Sequence, residues 1–179
     1  MVRQYSFHFS FDPVPPIMRR GRHVLIVIKD ITGKYVLGRK HVYPKGIVRF
    51  VGGGIEIGED PAIGAVRELH EELGLVIPPK KVQKLAEIHV EITSKNEDII
   101  FTTYLFFAQV GDTKFVPSGD LNGVARLTVE EVKDLIERFQ RLFTKSEPLS
   151  SSGETIFWSN YSALYGEIHR IGLELTQQS

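Results

Sequence analysis

The chain has 179 residues, enough for one domain with a sizeable core. Its 22 Lys and Arg balance 22 Asp and Glu, so no bulk field draws it to nucleic acid or an anionic membrane. With no cysteine it has no disulfide, thiol nucleophile or Cys-type zinc site, which fits a reducing cytoplasm.

Near the N-terminus Tyr5, Phe7, Phe9 and Phe11 alternate with Ser6, His8 and Ser10, the period of a half-buried strand and not of a secretory signal. Pro13, Pro15 and Pro16 end it. Residues 23–29 read as a buried strand, whose apolar run is far too short to cross a bilayer. Asp30-Ile31-Thr32-Gly33 then turns the chain into a strand over 34–39. Residues 40–47, with Pro44 and Gly46, are predicted as a loop, and a short strand leads into Gly52-Gly53-Gly54. A helix follows, with Asp60 as N-cap, Pro61 in its first position and Gly74 suited to the left-handed residue after its last turn. Pro78-Pro79 breaks the chain. Residues 85–93 and 99–110 are β-rich and flank a polar stretch over 94–98, a long hairpin. Thr128 to Glu131 is a capping box that opens a helix to about Phe143. A polar loop is expected over 146–153, then a helix over 155–175 with Trp158, Tyr161, Tyr165 and Ile168 at helical spacing. That stripe is expected to pack on the core or on a second subunit without supplying catalytic groups, which leaves a homodimer open. Stacking of a nucleobase is its competing role. Mixed strands with two or three helices imply an α/β (α+β) fold, an α/β/α sandwich around a mixed β-sheet. The expected organisation is one domain over 1–179, with an N-terminal strand extension (1–20) and a C-terminal loop and helix (146–179).

The acidic cluster in the first helix carries the chemistry. At about 100° per residue, Glu68, Glu71 and Glu72 share an arc of about 100°. Ala62, Val66, Leu69 and Leu73 occupy another, centred about 140° away. One face is thus expected to pack on a core while the other presents carboxylates. Three carboxylates so close repel one another unless a cation sits among them. Hard oxygen ligands suit Mg²⁺ or Mn²⁺ better than zinc, and the glycine run lets backbone carbonyls approach the same ion.

Gly53, Glu59, Arg67-Glu68-Leu69-His70-Glu71-Glu72 and Gly74-Leu75, at these spacings, match the Nudix hydrolase box at every defined position. The chain therefore resembles that family, with a looser likeness over roughly 20–143. The resemblance implies a Nudix-type sandwich and Mg²⁺-dependent hydrolysis, with Mn²⁺ as a substitute, of a nucleoside diphosphate linked to another group. A nucleotide sugar, ADP-ribose, a dinucleoside polyphosphate and an NTP are all admissible, so the partner is a small-molecule nucleotide. Carried over onto the box, Glu68 and Glu72 are metal ligands, Glu71 a ligand or general base, and the Gly52 carbonyl a further ligand. Arg67 and Glu59 brace the loop against the helix. Glu97, Asp98 and Asp120 are further carboxylate candidates from loops.

Arg39, Lys40, Lys45 and Arg49 precede the box and are placed to meet phosphate oxygens, the plain alternative being a charged strand edge. Arg19, Arg20 and Arg22 read as a solvated turn, and His70 as a surface residue in a variable box position. Many family members have proline before the glycines, where this chain has Val51. The proline or tyrosine that marks some subfamilies beyond the box is absent from 90–93. Competing functions are a catalytically silent nucleotide-binding module, against which the intact box argues, and an isomerase or RNA-end-processing relative. Neutral charge argues against long RNA.

Overall fold

An unbroken apolar run suits a strand covered on both faces. In the computed structural model the run Val24 to Ile28 forms the middle of β2 (Arg22–Lys29), and all five of its side chains are fully buried. The structure describes residues 2–12, 14, 16–143, 149–151, 154–156 and 158–177. Five more strands complete the sheet: β1 (Arg3–Ser10), β3 (Tyr35–Lys40), β4 (Gln83–Thr93), β5 (Asp98–Gln109) and β6 (Leu121–Leu127). Their order is β1-β4-β5-β2-β3-β6. β1 runs parallel to β4 and β2 parallel to β5, while the other neighbours are antiparallel, so the sheet is mixed.

Successive side chains of a strand point to opposite faces. Leu25, Val27, Leu37, Phe101 and Leu105 pack on one face beneath α2 (Val129–Phe143) and α3 (Trp158–Gln177). Val24, Ile26, Ile28, Val36 and Phe106 pack on the other against Ala65, Leu69 and Leu73 of α1 (Pro61–Leu73). Each buried aliphatic side chain contributes about 1.5–3 kcal/mol. The result is the α/β/α sandwich that the order of elements predicts. α3 is tied to the sheet at its far end, where the Tyr35 hydroxyl meets Thr176 Oγ1 at 2.9 Å and Lys29 Nζ donates to the Thr176 carbonyl at 2.7 Å.

Five elements differ from the sequence reading. β6 has no clear alternation and includes Asn122 and Gly123, yet the free edge of β3 recruits it into an antiparallel pair. Pro16–Arg20 forms a short 3₁₀ turn. Within the predicted polar loop, β7 (Leu149–Ser151) pairs with β8 (Glu154–Ile156), and α3 starts at Trp158 and not at Thr155. The rest of that loop, residues 146–148, 152 and 153, lies outside the described residues, as do Pro13 and Pro15. Among the described residues no helix is long and apolar enough to cross a membrane.

Candidate active site

The glycine segment is held by the two strands it separates. β2 and β3 pair directly only at Ile28–Val36 and Lys29–Tyr35. Beyond that point they part, and residues 49–54 thread between them. On one side Ile26 N donates to the Val51 carbonyl at 2.8 Å and Val24 N to the Gly53 carbonyl at 2.9 Å. On the other, Arg49 and Gly38 exchange backbone hydrogen bonds of 3.0 and 2.7 Å. The predicted short strand is therefore a set of single bridges. Gly52 has φ 143°, and a Cβ there would lie 2.2 Å from the Val24 carbonyl oxygen, so only glycine passes.

Both ends of α1 are fixed locally. The Asp60 carboxylate accepts from Ala62 N at 2.8 Å, and Gly74, at φ 65°, donates to the His70 carbonyl at 2.9 Å. This cap orientation turns Glu68 and Glu72 towards the glycine segment. Neither faces solvent: they are 8% and 7% exposed. The expected acidic face is thus covered, and only Glu71, with 53% of its side chain accessible, opens to water. Glu72 Oε2 accepts from Gly52 N at 3.1 Å. The Glu68 carboxylate fills the space a Cβ on Gly53 would need, with Oε1 2.6 Å from that point.

Arg67 is the hub. Its Nε and Nη2 grip both oxygens of Glu59 at 2.9 and 3.0 Å. Nη1 reaches Glu68 Oε1 and Glu71 Oε2, each at 2.9 Å, and Nη2 also reaches the Gly54 carbonyl at 2.9 Å. Such charge-assisted, bidentate bonds are the strong kind. They hold the Glu59 carboxyl below its usual range and raise the pKa of Arg67. Burial pushes Glu68 the other way, above the usual carboxylate range, and the nearby charges of Glu72 and Glu71 add to that shift against the pull of Arg67. Lys40 Nζ pairs with Glu72 Oε1 at 2.9 Å and stands 3.5 Å from Asp120 Oδ2.

Three carboxylates beside a glycine backbone are a hard-oxygen donor set that fits Mg²⁺ or Mn²⁺. In their present rotamers these oxygens are turned to Arg67, Lys40 and Gly52 N, and no three acidic or histidine side chains among the described residues surround a metal position. Burial first, and then the charges of Glu72 and Glu71, oppose ionisation of Glu68, and Arg67 offsets part of that cost.

The other candidates separate. Asp120 reaches the site through Lys40, while Glu97 pairs with Arg19 and Asp98 opens β5. Arg39 lines a cavity of about 240 Å³ with Glu131, Asp134 and Arg138 of α2, away from the carboxylates, and Lys45 is exposed. Arg49 is buried against Tyr165 and Tyr43. Arg20 and Arg22 are not a free turn: Arg20 Nη1 lies 3.0 Å from the position of a Cβ on Gly54, and Arg22 reaches the Glu59 carbonyl at 3.4 Å. His70 is exposed. The bond between Lys40 and Glu72 was not visible in the sequence, because β3 and α1 meet only in the fold.

The family model for the NUDIX domain matches residues 19–146. A comparison with curated proteins finds no match. Among solved structures, the chain is similar to an Ap4A hydrolase of C. elegans, with a TM-score of 0.54 and 13% identity, over 88% of this chain and 98% of that one. It is also similar to the dihydroneopterin triphosphate pyrophosphohydrolase of E. coli, with a TM-score of 0.53 and 16% identity, over 65% and 84%. It spans less than half, 45%, of a MutT/nudix family protein from Enterococcus faecalis, with 63% of this chain covered, 19% identity and a TM-score of 0.49. At these identities the likeness is one of fold.

Proposed function

The chain belongs to the Nudix domain family by the match over residues 19–146, and on that premise we propose that it hydrolyses a pyrophosphate bond in a small nucleotide with a divalent cation, Mg²⁺ or Mn²⁺. The observation that carries this reading is the pair of buried carboxylates, Glu68 and Glu72, folded against Gly52 and Gly53 with Glu71 beside them at the surface. Glu68, Glu72 and the Gly52 carbonyl would hold the cation, with Glu71 as a further ligand or as base. A cation bound there neutralises phosphate charge and acidifies water.

The chain's own groups have distinct tasks. Arg67 locks Glu59, Glu68 and the Gly54 carbonyl into one rigid unit, so the loop and helix keep their spacing. Glu71, the accessible carboxylate, is placed to take a proton from water. Lys40 balances Glu72 and presents positive charge where an anionic substrate enters. Two of the structural neighbours are named for Ap4A and for dihydroneopterin triphosphate. Both compounds contain phosphoanhydrides, and that bond class is the one proposed here.

The test is a turnover screen with Mg²⁺ of nucleotide sugars, ADP-ribose, dinucleoside polyphosphates and NTPs, with products identified by mass. A Glu72→Gln chain that keeps its melting temperature is the control. Substrate cleavage that drops by about 100-fold or more in the variant supports the reading. No turnover of any class, or a variant within a few-fold of the parent, refutes it.

A further inference from the structure

Five buried polar side-chain atoms lack a hydrogen-bond partner among the described residues: His23 Nδ1, Arg49 Nε, Thr103 Oγ1, Trp158 Nε1 and Tyr165 Oη. Buried polar atoms are nearly always paired, so such a group needs a cause. Three of them, on Arg49, Trp158 and Tyr165, belong to one aromatic cluster. The Arg49 guanidinium lies 3.4 Å over the Tyr165 ring and 5.5 Å from the Tyr43 ring. Trp158 meets Tyr43 edge-on at 5.6 Å. His23 and Thr103 are cross-strand partners on β2 and β5. Burial, and next the charge of Arg49, keep His23 neutral, which places it within electrostatic reach of that guanidinium.

The chemistry of the missing partner can be read from the donors. Arg Nε–H and Trp Nε1–H only donate, so the partner is an acceptor. A buried guanidinium also calls for negative charge. Glu72, the carboxylate whose charge reaches Arg49, is taken by Lys40. Aromatic rings lie over the guanidinium, which leaves its edge, the part that fits an oxyanion. Tyr43 and Lys40, on the side of the cluster next to Glu72, are only partly buried, whereas the unpartnered atoms of Arg49, Trp158 and Tyr165 are covered.

We propose that Arg49, Trp158 and Tyr165 form a second oxyanion site, which holds a phosphate of the substrate beyond the one that faces the carboxylates. α3, which lies outside the matched residues 19–146, then supplies half of the substrate pocket. The word "substrate" rests on the hydrolase reading, whereas binding of an oxyanion does not.

Trp158 is the only tryptophan, so its fluorescence reports on this cluster alone. Inorganic phosphate and inorganic pyrophosphate are titrated in excess chelator at constant ionic strength, which removes any contribution of metal at the carboxylates. The expected result is a saturable change in fluorescence. Arg49→Gln should weaken binding by about tenfold or more, and Tyr165→Phe by about threefold or more. Tyr165→Phe removes a hydroxyl with no hydrogen-bond partner among the described residues, so its melting temperature should stay at or above that of the parent, and it carries the test if Arg49→Gln does not fold. No response to either anion, or unchanged affinity in Tyr165→Phe, overturns the proposal, and water alone then meets these donors. Turnover without phosphate binding defeats this site only. Phosphate binding without turnover defeats the hydrolase reading only.

Discussion

His169 gives the sharpest stability prediction. Its ring is fully buried, with Nδ1 2.6 Å from the Tyr165 carbonyl and Nε2 accepting from Phe50 N at 3.1 Å. Phe50 also stacks on it at 4.1 Å between centroids. With Nδ1–H facing a carbonyl, Nε2 is the acceptor and cannot take a proton without losing the bond from Phe50, and burial, aided by Arg49 and against the pull of the Tyr165 carbonyl, lowers its pKa to about 3 from 6.5. The folded state resists a proton that the unfolded chain accepts. Stability from this group is therefore intact above about pH 6.5 and is lost as the pH falls towards 3. Between pH 7 and pH 4 the loss is about 3 kcal/mol, at about 1.4 kcal/mol per unit. Urea denaturation at the two pH values, on the parent and on His169→Gln, isolates it from the carboxylates that also titrate. The variant should start about 1–3 kcal/mol less stable at pH 7 and then lose about 3 kcal/mol less on acidification. Equal losses in the two proteins would show that His169 is not held neutral by this packing.

Two further outcomes test the carboxylate site. Gly53→Ala places a methyl group 2.6 Å from Glu68 Oε1, so the carboxylate must leave its place beside Arg67. Metal affinity by calorimetry should fall about tenfold with a stability cost near 1 kcal/mol, and unchanged affinity would mean that Glu68 is not a ligand. Millimolar Mg²⁺ or Mn²⁺ should raise the melting temperature of the parent, by about 2.7 kcal/mol of stability at a hundredfold excess over Kd, and chelator should reverse the rise. No shift at any metal concentration would count against a metal site in the folded chain.

Local rules made part of this site legible. Asp60 and Gly74 act through bonds within a few residues, so the bounds of α1 follow from the letters. The family resemblance pairs Arg67 with Glu59, and the two side chains meet at 2.9 and 3.0 Å. Helical arithmetic puts Glu68 and Glu72 on a different arc from Leu69 and Leu73, but it does not show that Gly52 and Gly53 fold over them. That cover depends on the parting of β2 and β3, a tertiary event. The same limit hid β6, which forms because β3 offers an edge and not because Leu121 to Leu127 favours a strand. The aromatic spacing of α3 was visible, whereas the unpartnered guanidinium behind it was not, since Arg49 and Tyr165 are brought together only by packing.

The bond from Phe50 to His169 joins residues 119 positions apart. During synthesis the sheet, α1 and the threaded glycine segment all leave the ribosome before α3 does. Until residues 158–177 emerge, Leu25, Val27, Leu37 and Phe50 lack the share of their cover that α3 supplies. A nascent chain stalled before this point would present an oily, half-roofed sheet to chaperones, and the Phe50 N–H would still lack its imidazole acceptor.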